Sequence, residues 1–217
     1  MPAAMLPFVT LTGLAVVALL VAESRGSRRG IWIAKPLASL GFIAAGLAAG
    51  ALDSAHGPAY GRWVLGALVL SMGGDVLLIP KGAPRIFQVG ILSFLLGHVA
   101  FTAAFAVRGL EPSWLLPAAA WALVPIYVVG RWLRPHVTRE LRGAVYAYIL
   151  VISAMAVCAV GAAAASGDLR IPLGALMFYV SDLSVARDRF VAPSFANRAW
   201  GLPLYFAAQL VLASTVA

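Results

Sequence analysis

The chain has 217 residues, 62% of them apolar and 11% charged, with a mean hydropathy of +0.94. Soluble domains run about 45–50% apolar and about 25% charged, so this composition excludes one and places the chain in a bilayer. Eight spanning helices would use about 160 residues at about 20 each and leave about 57 for turns and tails, too few for an extramembrane domain. Residues 1–217 are therefore expected to form a single integral membrane domain.

The net charge of +8 raises the question of nucleic acid. The Lys and Arg residues sit in short turns between apolar runs and form no stripe on a polar face, so no nucleic-acid partner is expected and the charge reads as topology. The single cysteine, Cys158, lies in an apolar run, which excludes an intrachain disulfide and a cysteine-based metal cluster.

Apolar runs and their Gly, Pro and charged punctuation predict helices near 6–22, 33–50, 61–79, 86–107, 114–132, 142–165, 170–186 and 199–216. The fold class is all-α, a polytopic bundle of eight transmembrane helices. The runs are long and continuous and lack the alternation of barrel strands, which excludes a β-barrel. No Lys or Arg precedes the first run and no cleavage site clearly follows it, so helix one is expected to be retained as a span. Lys35 enters the second helix, where Gly46 and Gly50 form a small-xxx-small pair suited to close helix packing. The third helix carries Ser71 and Asp75 in the run SMGGDVLL, one turn before Pro80. The fourth places His98 twelve residues in, about 18 Å along its axis. The interiors of the fifth and sixth helices contribute no acid, histidine or lysine to the candidates. The seventh bears Ser181 and Asp182 near its end, and the eighth bears Tyr205 and Gln209 at i and i+4, on one face.

Thirteen of the sixteen cations fall in the turns after helices one, three, five and seven, and only Arg62, Arg108 and Arg170 lie on the other side. The positive-inside rule then puts those four turns in the cytoplasm and both termini outside, in the cell (inner) membrane. In that orientation Lys35, Asp75, His98, Asp182, Tyr205 and Gln209 share the cytoplasmic half or the midplane. Asp53, His56, Glu111 and Asp168 fall in outer turns and read as surface groups; Arg187, Asp188, Arg189 and Arg198 read as cytoplasmic turn charges.

Ionisable groups in hydrocarbon cost at least about 2.5–3.5 kcal/mol each, so those that remain are the default functional candidates. Each also has a structural alternative. Asp75 could pair with Lys35 or Lys81, Asp182 with Arg187 or Arg189, His98 could donate to a carbonyl, and Tyr205 and Gln209 could hold helices together. Two acids, a histidine and a glutamine in one half of a small bundle are nonetheless hard to explain as packing. Paired carboxylates in a desolvated site can divide the work of acid and base. No HExxH motif and no nucleophile elbow accompany them. A zinc site needs three or four ligands where one buried histidine and two acids stand, so no metal or other cofactor is expected. Retinal-type photochemistry would need a lysine deep in a helix, and Lys35 sits at a helix mouth.

The segments KPL (35–37), SMGGDVLL (71–78), FQVGILSFLLGH (87–98), FYVSDLSVARDRF (178–190) and LYFAAQLVLAS (204–214) together resemble the YhhN-like family of integral membrane lysoplasmalogenases. The resemblance covers nearly the whole chain, in order. It implies hydrolysis of the vinyl ether bond of lysoplasmalogens, the alkenyl-glycerophosphoethanolamine or -choline lipids, to a fatty aldehyde and the glycerophospho-base. The family's polar positions fall on Lys35, Asp75, His98, Ser181, Asp182, Tyr205 and Gln209. A tyrosine often found three residues after the GH histidine is Phe101 here.

Vinyl ether hydrolysis needs an acid to protonate carbon and an anion to face the resulting cation. That assigns Asp75 and Asp182 as the acid–base pair, in undetermined order, with His98, Tyr205 and Gln209 positioning water. Lys35 and nearby cytoplasmic arginines would meet the phosphate, and the alkenyl chain would lie in an apolar slot between helices. The implied partners are a lysophospholipid substrate and the bilayer; the sequence leaves the oligomeric state open. The competing reading is a small proton-coupled transporter or carrier, favoured by buried acids but not by any internal repeat or broken helix.

Overall fold

Four prolines open helices in this chain, since a proline in the first turn loses no hydrogen bond, while Pro36, Pro117, Pro125 and Pro203 lie inside helices. Pro7, Pro58, Pro84 and Pro112 start α1 (Leu6–Ser24), α3 (Pro58–Leu77), α4 (Pro84–Arg108) and α5 (Pro112–Leu133). Ser27 and Ser194 accept the backbone N–H of Gly30 and Asn197 and so cap α2 (Arg28–Ala48) and α8 (Phe195–Ala213). α6 (Arg139–Ser166) ends at Gly167 in the left-handed conformation, φ +74°. α7 (Arg170–Ala186) runs on into a single π-turn, Arg187–Val191. The computed structural model describes residues 2–217.

All eight expected helices form, and no strand occurs among the described residues. The caps explain the largest shifts in boundary: Ser27 starts α2 five residues before the expected position, and Ser194 starts α8 four before. Six of the helices, α1, α2, α4, α5, α6 and α8, are long and apolar enough to cross a membrane. α7 has only 17 residues, and α3 is diluted by Arg62, Asp75 and four glycines. Length and composition thus qualify six of the expected eight spans.

Sequential helices pack as neighbours except α4 and α5; α4 packs instead against α6, and α8 closes the ring against α1 and α2. α5 flanks the outside of α6. The core runs through Phe42, Leu68, Phe101, Phe105, Phe178 and Phe206, all essentially inaccessible. Leu116 and Trp121 on α5 are 79% and 78% exposed, the inside-out pattern expected where lipid is the solvent.

Two expectations are corrected by the packing. Gly46 does make a close helix contact, since a Cβ there would meet Leu68 at 3.0 Å, but Gly50 lies beyond the end of α2 with φ +92° and serves a turn, not an interface. Asp168 is not a solvated surface acid. Its side chain is 9% exposed and is gripped by Arg108 at 3.1 Å and Arg170 at 2.9 Å. The same two arginines donate to the carbonyls of Thr215 and Ser214, tying α4, α7 and the end of α8 together.

Candidate active site

The cation-rich end of the bundle holds two carboxylates with different surroundings. Asp75, two residues from the end of α3, is almost inaccessible and both of its oxygens are engaged. Oδ1 pairs with Lys35 Nζ at 3.2 Å, and Oδ2 accepts hydrogen bonds from Ser39 Oγ and Tyr205 OH, each at 2.7 Å. Lys35 and Ser39 share one face of α2 through their i,i+4 spacing. Three donors around an acceptor-only group suit an ionised carboxylate. Its backbone is brought close to α4 by Gly74, where a Cβ would strike the Phe94 ring.

Asp182 on α7 is held on one side only. Its Oδ2 accepts from Tyr148 OH at 2.6 Å and faces His98 Nε2 at 3.1 Å, while Nε2 and the tyrosine oxygen are 3.0 Å apart. A carboxylate can only accept, so this network assigns the ring hydrogen to Nε2 and leaves Nδ1 against Met155 Sδ at 3.4 Å. Asp182 Oδ1 takes no hydrogen bond from the described residues. The Asp182 side chain is 16% exposed, against 3% for Asp75.

Both carboxylates line one cavity of about 130 Å³, together with Lys35, Ser181 and Tyr205. Its mouth is ringed by Glu23, Lys81, Asp188, Arg189 and Arg198. An aromatic wall backs it: Tyr205 packs edge-on against Phe94 and Phe178 at 5.8 and 5.4 Å, and Phe178 covers the His98 ring at 4.3 Å. A second cavity, about 230 Å³ and lined almost wholly by apolar side chains of α4, α5, α6 and α7, adjoins the first. Phe94, Asp182, Val185 and Arg189 line both. Asp182 thus stands where an apolar slot meets a polar chamber.

The other expected site residues fall outside that chamber or face away from the acids. His98 is fully buried behind Asp182 and does not line the cavity. Gln209 is equally buried; its Nε2 reaches Ser71 Oγ at 3.4 Å and its Oε1 has no partner among the described residues. Ser181 donates to the Phe178 carbonyl at 2.7 Å and reaches neither carboxylate. Asp182 does not pair with Arg187 or Arg189. Arg187 instead binds Asn197, and Arg198 bridges Glu23 and Asp188, each at 3.2 Å. Two hydroxyls that sequence reasoning missed, Ser39 and Tyr148, contact the acids directly. Ser39 was findable as the i+4 neighbour of Lys35, whereas Tyr148 had no such local signal. Among the described residues no three His, Cys, Asp or Glu side chains converge as a metal would require.

The profile of the YhhN family matches residues 30–216. The chain belongs to the YhhN family. It is 32% identical over 152 residues to lysoplasmalogenase TMEM86A of Bos taurus, an alignment covering 67% of this chain and 61% of that protein. It is 30% identical over 166 residues to lysoplasmalogenase TMEM86B of Sus scrofa, covering 76% of this chain and 67% of the relative. A lysoplasmalogenase of Mycobacterium tuberculosis is 32% identical over 163 residues, which cover 70% of this chain and 59% of that protein. The chain therefore spans about three fifths of the length of the bovine and mycobacterial relatives. No solved structure matches it. Apart from Glu23 at the mouth, all the site residues described lie within the stretch that the family profile covers.

Proposed function

We propose that this YhhN-family protein is a lysoplasmalogenase, hydrolysing the vinyl ether bond of alkenyl-glycerophospholipids to a fatty aldehyde and a glycerophospho-base. The observation that carries the reading is the position of Asp182, with a free carboxyl oxygen at the junction of an apolar slot and a polar chamber that also holds Asp75. An alkenyl chain fits the slot, and its ether oxygen and glycerol would then enter the chamber.

In this mechanism Asp182, protonated on Oδ1, delivers that proton to the β-carbon of the vinyl ether. Carbon gains a C–H bond, the double bond's electron pair is consumed, and an oxocarbenium ion forms. The new carboxylate is stabilised by the hydrogen bonds from Tyr148 and His98, donors placed where negative charge develops. Asp75, fixed as an anion by Lys35, Ser39 and Tyr205, opposes the cation across the chamber and orients water. Water adds to the cationic carbon and returns its proton to Asp182. The hemiacetal collapses to the aldehyde as the glycerol oxygen takes its proton. One water is consumed and no redox partner is needed. His98, Ser181 and Gln209 act in this scheme by holding groups in place.

The eight helices are proposed to span the cell membrane as one integral domain, with the Lys35–Asp75 end in the cytoplasm and both termini outside, on the strength of the cation asymmetry. Incubation of the purified protein in detergent with a lysoplasmalogen tests the function. Release of a long-chain aldehyde is expected. Absence of aldehyde, with proton-coupled uptake of a solute into protein-containing vesicles, would instead favour the carrier reading.

A further inference from the structure

Four cations line the chamber, Lys35, Lys81, Arg189 and Arg198, and two of them are already committed. Lys35 pairs with Asp75, and Arg198 with Glu23 and Asp188. Arg189 differs. Among the described residues no carboxylate lies within ion-pair distance of its guanidinium, although Asp182 and Asp188 line the same cavity. The group rests over the Phe87 ring, 5.1 Å from its centroid, and one nitrogen, Nη2, donates to the Leu78 carbonyl at 3.0 Å. Nε and Nη1 make no hydrogen bond within the described chain. A guanidinium seated on an aromatic face and steadied at one corner presents its remaining N–H groups as a rigid fork, the geometry that suits phosphate oxygens.

The position of that fork is as informative as its chemistry. Asp182, Val185 and Arg189 follow one another at i, i+3 and i+7, so they lie on one stripe of α7 and the turn that extends it, and all three line both cavities. Seven residues correspond to about 10 Å along a helix. In an alkenyl lysophospholipid the three glycerol carbons separate the ether oxygen from the phosphate ester. A lipid whose vinyl ether lies at Asp182 would therefore bring its phosphate toward Arg189. Lys81 is the other mouth cation without an acid partner among the described residues, but it lines the chamber alone and does not line the slot that takes the chain.

We propose that Arg189 is the phosphate-recognising residue of this site, and that it fixes how deep the lipid enters and hence which bond reaches Asp182. The proposal rests on the lysoplasmalogenase reading and adds its specificity determinant. It makes the phosphate the feature selected, whereas the ethanolamine or choline beyond it meets rim acids already occupied by Arg198. Neutral 1-alkenylglycerols should be poor ligands, and the two head groups should bind alike.

The test separates binding from chemistry. The ligands are a 1-alkyl lysophosphocholine, which has a saturated ether and is not hydrolysable, and the matching 1-alkylglycerol, titrated in detergent against the melting temperature of the full chain. Wild type should prefer the phospholipid by at least about 10-fold, and Arg189→Gln should lose about 10–100-fold of its affinity for the phospholipid alone, the range of a charge-assisted hydrogen bond. Arg189→Lys should retain part of the preference, and Phe87→Leu, which removes the shelf and no charge, should weaken it; these two variants carry the test if Arg189→Gln does not fold. Lys81→Gln should leave the preference intact. Equal binding of both ligands by wild type, an unchanged preference in Arg189→Gln, or loss of preference in Lys81→Gln in its place would overturn the proposal. Aldehyde release is measured separately: a phosphate preference that depends on Arg189 in a protein that releases no aldehyde would defeat the hydrolase reading and leave the phosphate site standing.

Discussion

Replacing Lys35 by methionine removes one charge of a pair that is nearly dry on both sides, with side chains 12% and 3% exposed and 3.2 Å between the charged atoms. The Asp75 carboxylate would keep Ser39 and Tyr205 as donors and lose its only cation. Breaking a buried pair in this way costs about 3–5 kcal/mol, whereas an exposed pair would cost about 0–1 kcal/mol. At about 2–4 °C per kcal/mol for a chain of this size, the melting temperature should fall on the order of 10 °C. Asp75→Asn should cost less, because the Lys35 stem is long enough to carry its ammonium toward the mouth. The double variant Lys35→Met/Asp75→Asn should recover to within about 1 kcal/mol of wild type, since no unpaired charge remains. Tryptophan fluorescence melts of the detergent-solubilised protein would show this cycle, and the double variant, folded yet lacking the anion, should still release no aldehyde. A Lys35→Met melt within about 2 °C of wild type, or a double variant no more stable than the single, would refute the claim that Asp75 is held ionised by a buried pair.

Tyr148→Phe deletes the 2.6 Å hydrogen bond to Asp182 while keeping the ring, and should lower kcat about 10–100-fold with little change in KM, as steady-state aldehyde release would show. At the opposite end, burial acts to raise the Asp168 pKa, but hydrogen bonds from Arg170 and the charges of Arg170 and Arg108 outweigh it and hold the carboxyl below its usual value. That stabilisation is complete above the unfolded carboxylate pKa of about 3.9 and is lost as pH falls through the folded value, so melts of wild type and Asp168→Asn should differ at neutral pH and converge in acid. In a Cys158→Ser background, a cysteine at position 136 should react with an impermeant thiol reagent only in inverted vesicles, and one at 111 only in right-side-out ones; the opposite pattern would reverse the proposed topology.

The helices were legible because lipid imposes long apolar runs and this chain interrupts them with proline, glycine and charge. Their ends were less so, because Ser27 and Ser194 act through single hydrogen bonds that hydropathy does not register. Asp75 and Asp182 stood out as acids where acids are costly. Which of them faces the slot could not be read, because it depends on the rotation of α3 and α7 about their axes. Tyr148 was hidden for a related reason: a tyrosine in an apolar run resembles a lipid-facing one until α6 is docked against α4. Asp168 misled in the other direction. It lies in a turn, as expected, but Arg108 arrives from α4 and, with Arg170 two residues on, buries it; the contact across to α4 has no local sequence signature.

Hydrolysis of a lysoplasmalogen in deuterium oxide tests the account most directly, with the aldehyde trapped as it forms and analysed by mass spectrometry. Wild type should release aldehyde bearing one deuterium at the carbon next to the carbonyl, the carbon that Asp182 protonates, and Asp182→Asn should release several orders of magnitude less while remaining folded and extractable at normal yield. No aldehyde from wild type, aldehyde without the deuterium, or near-normal turnover by Asp182→Asn would contradict it.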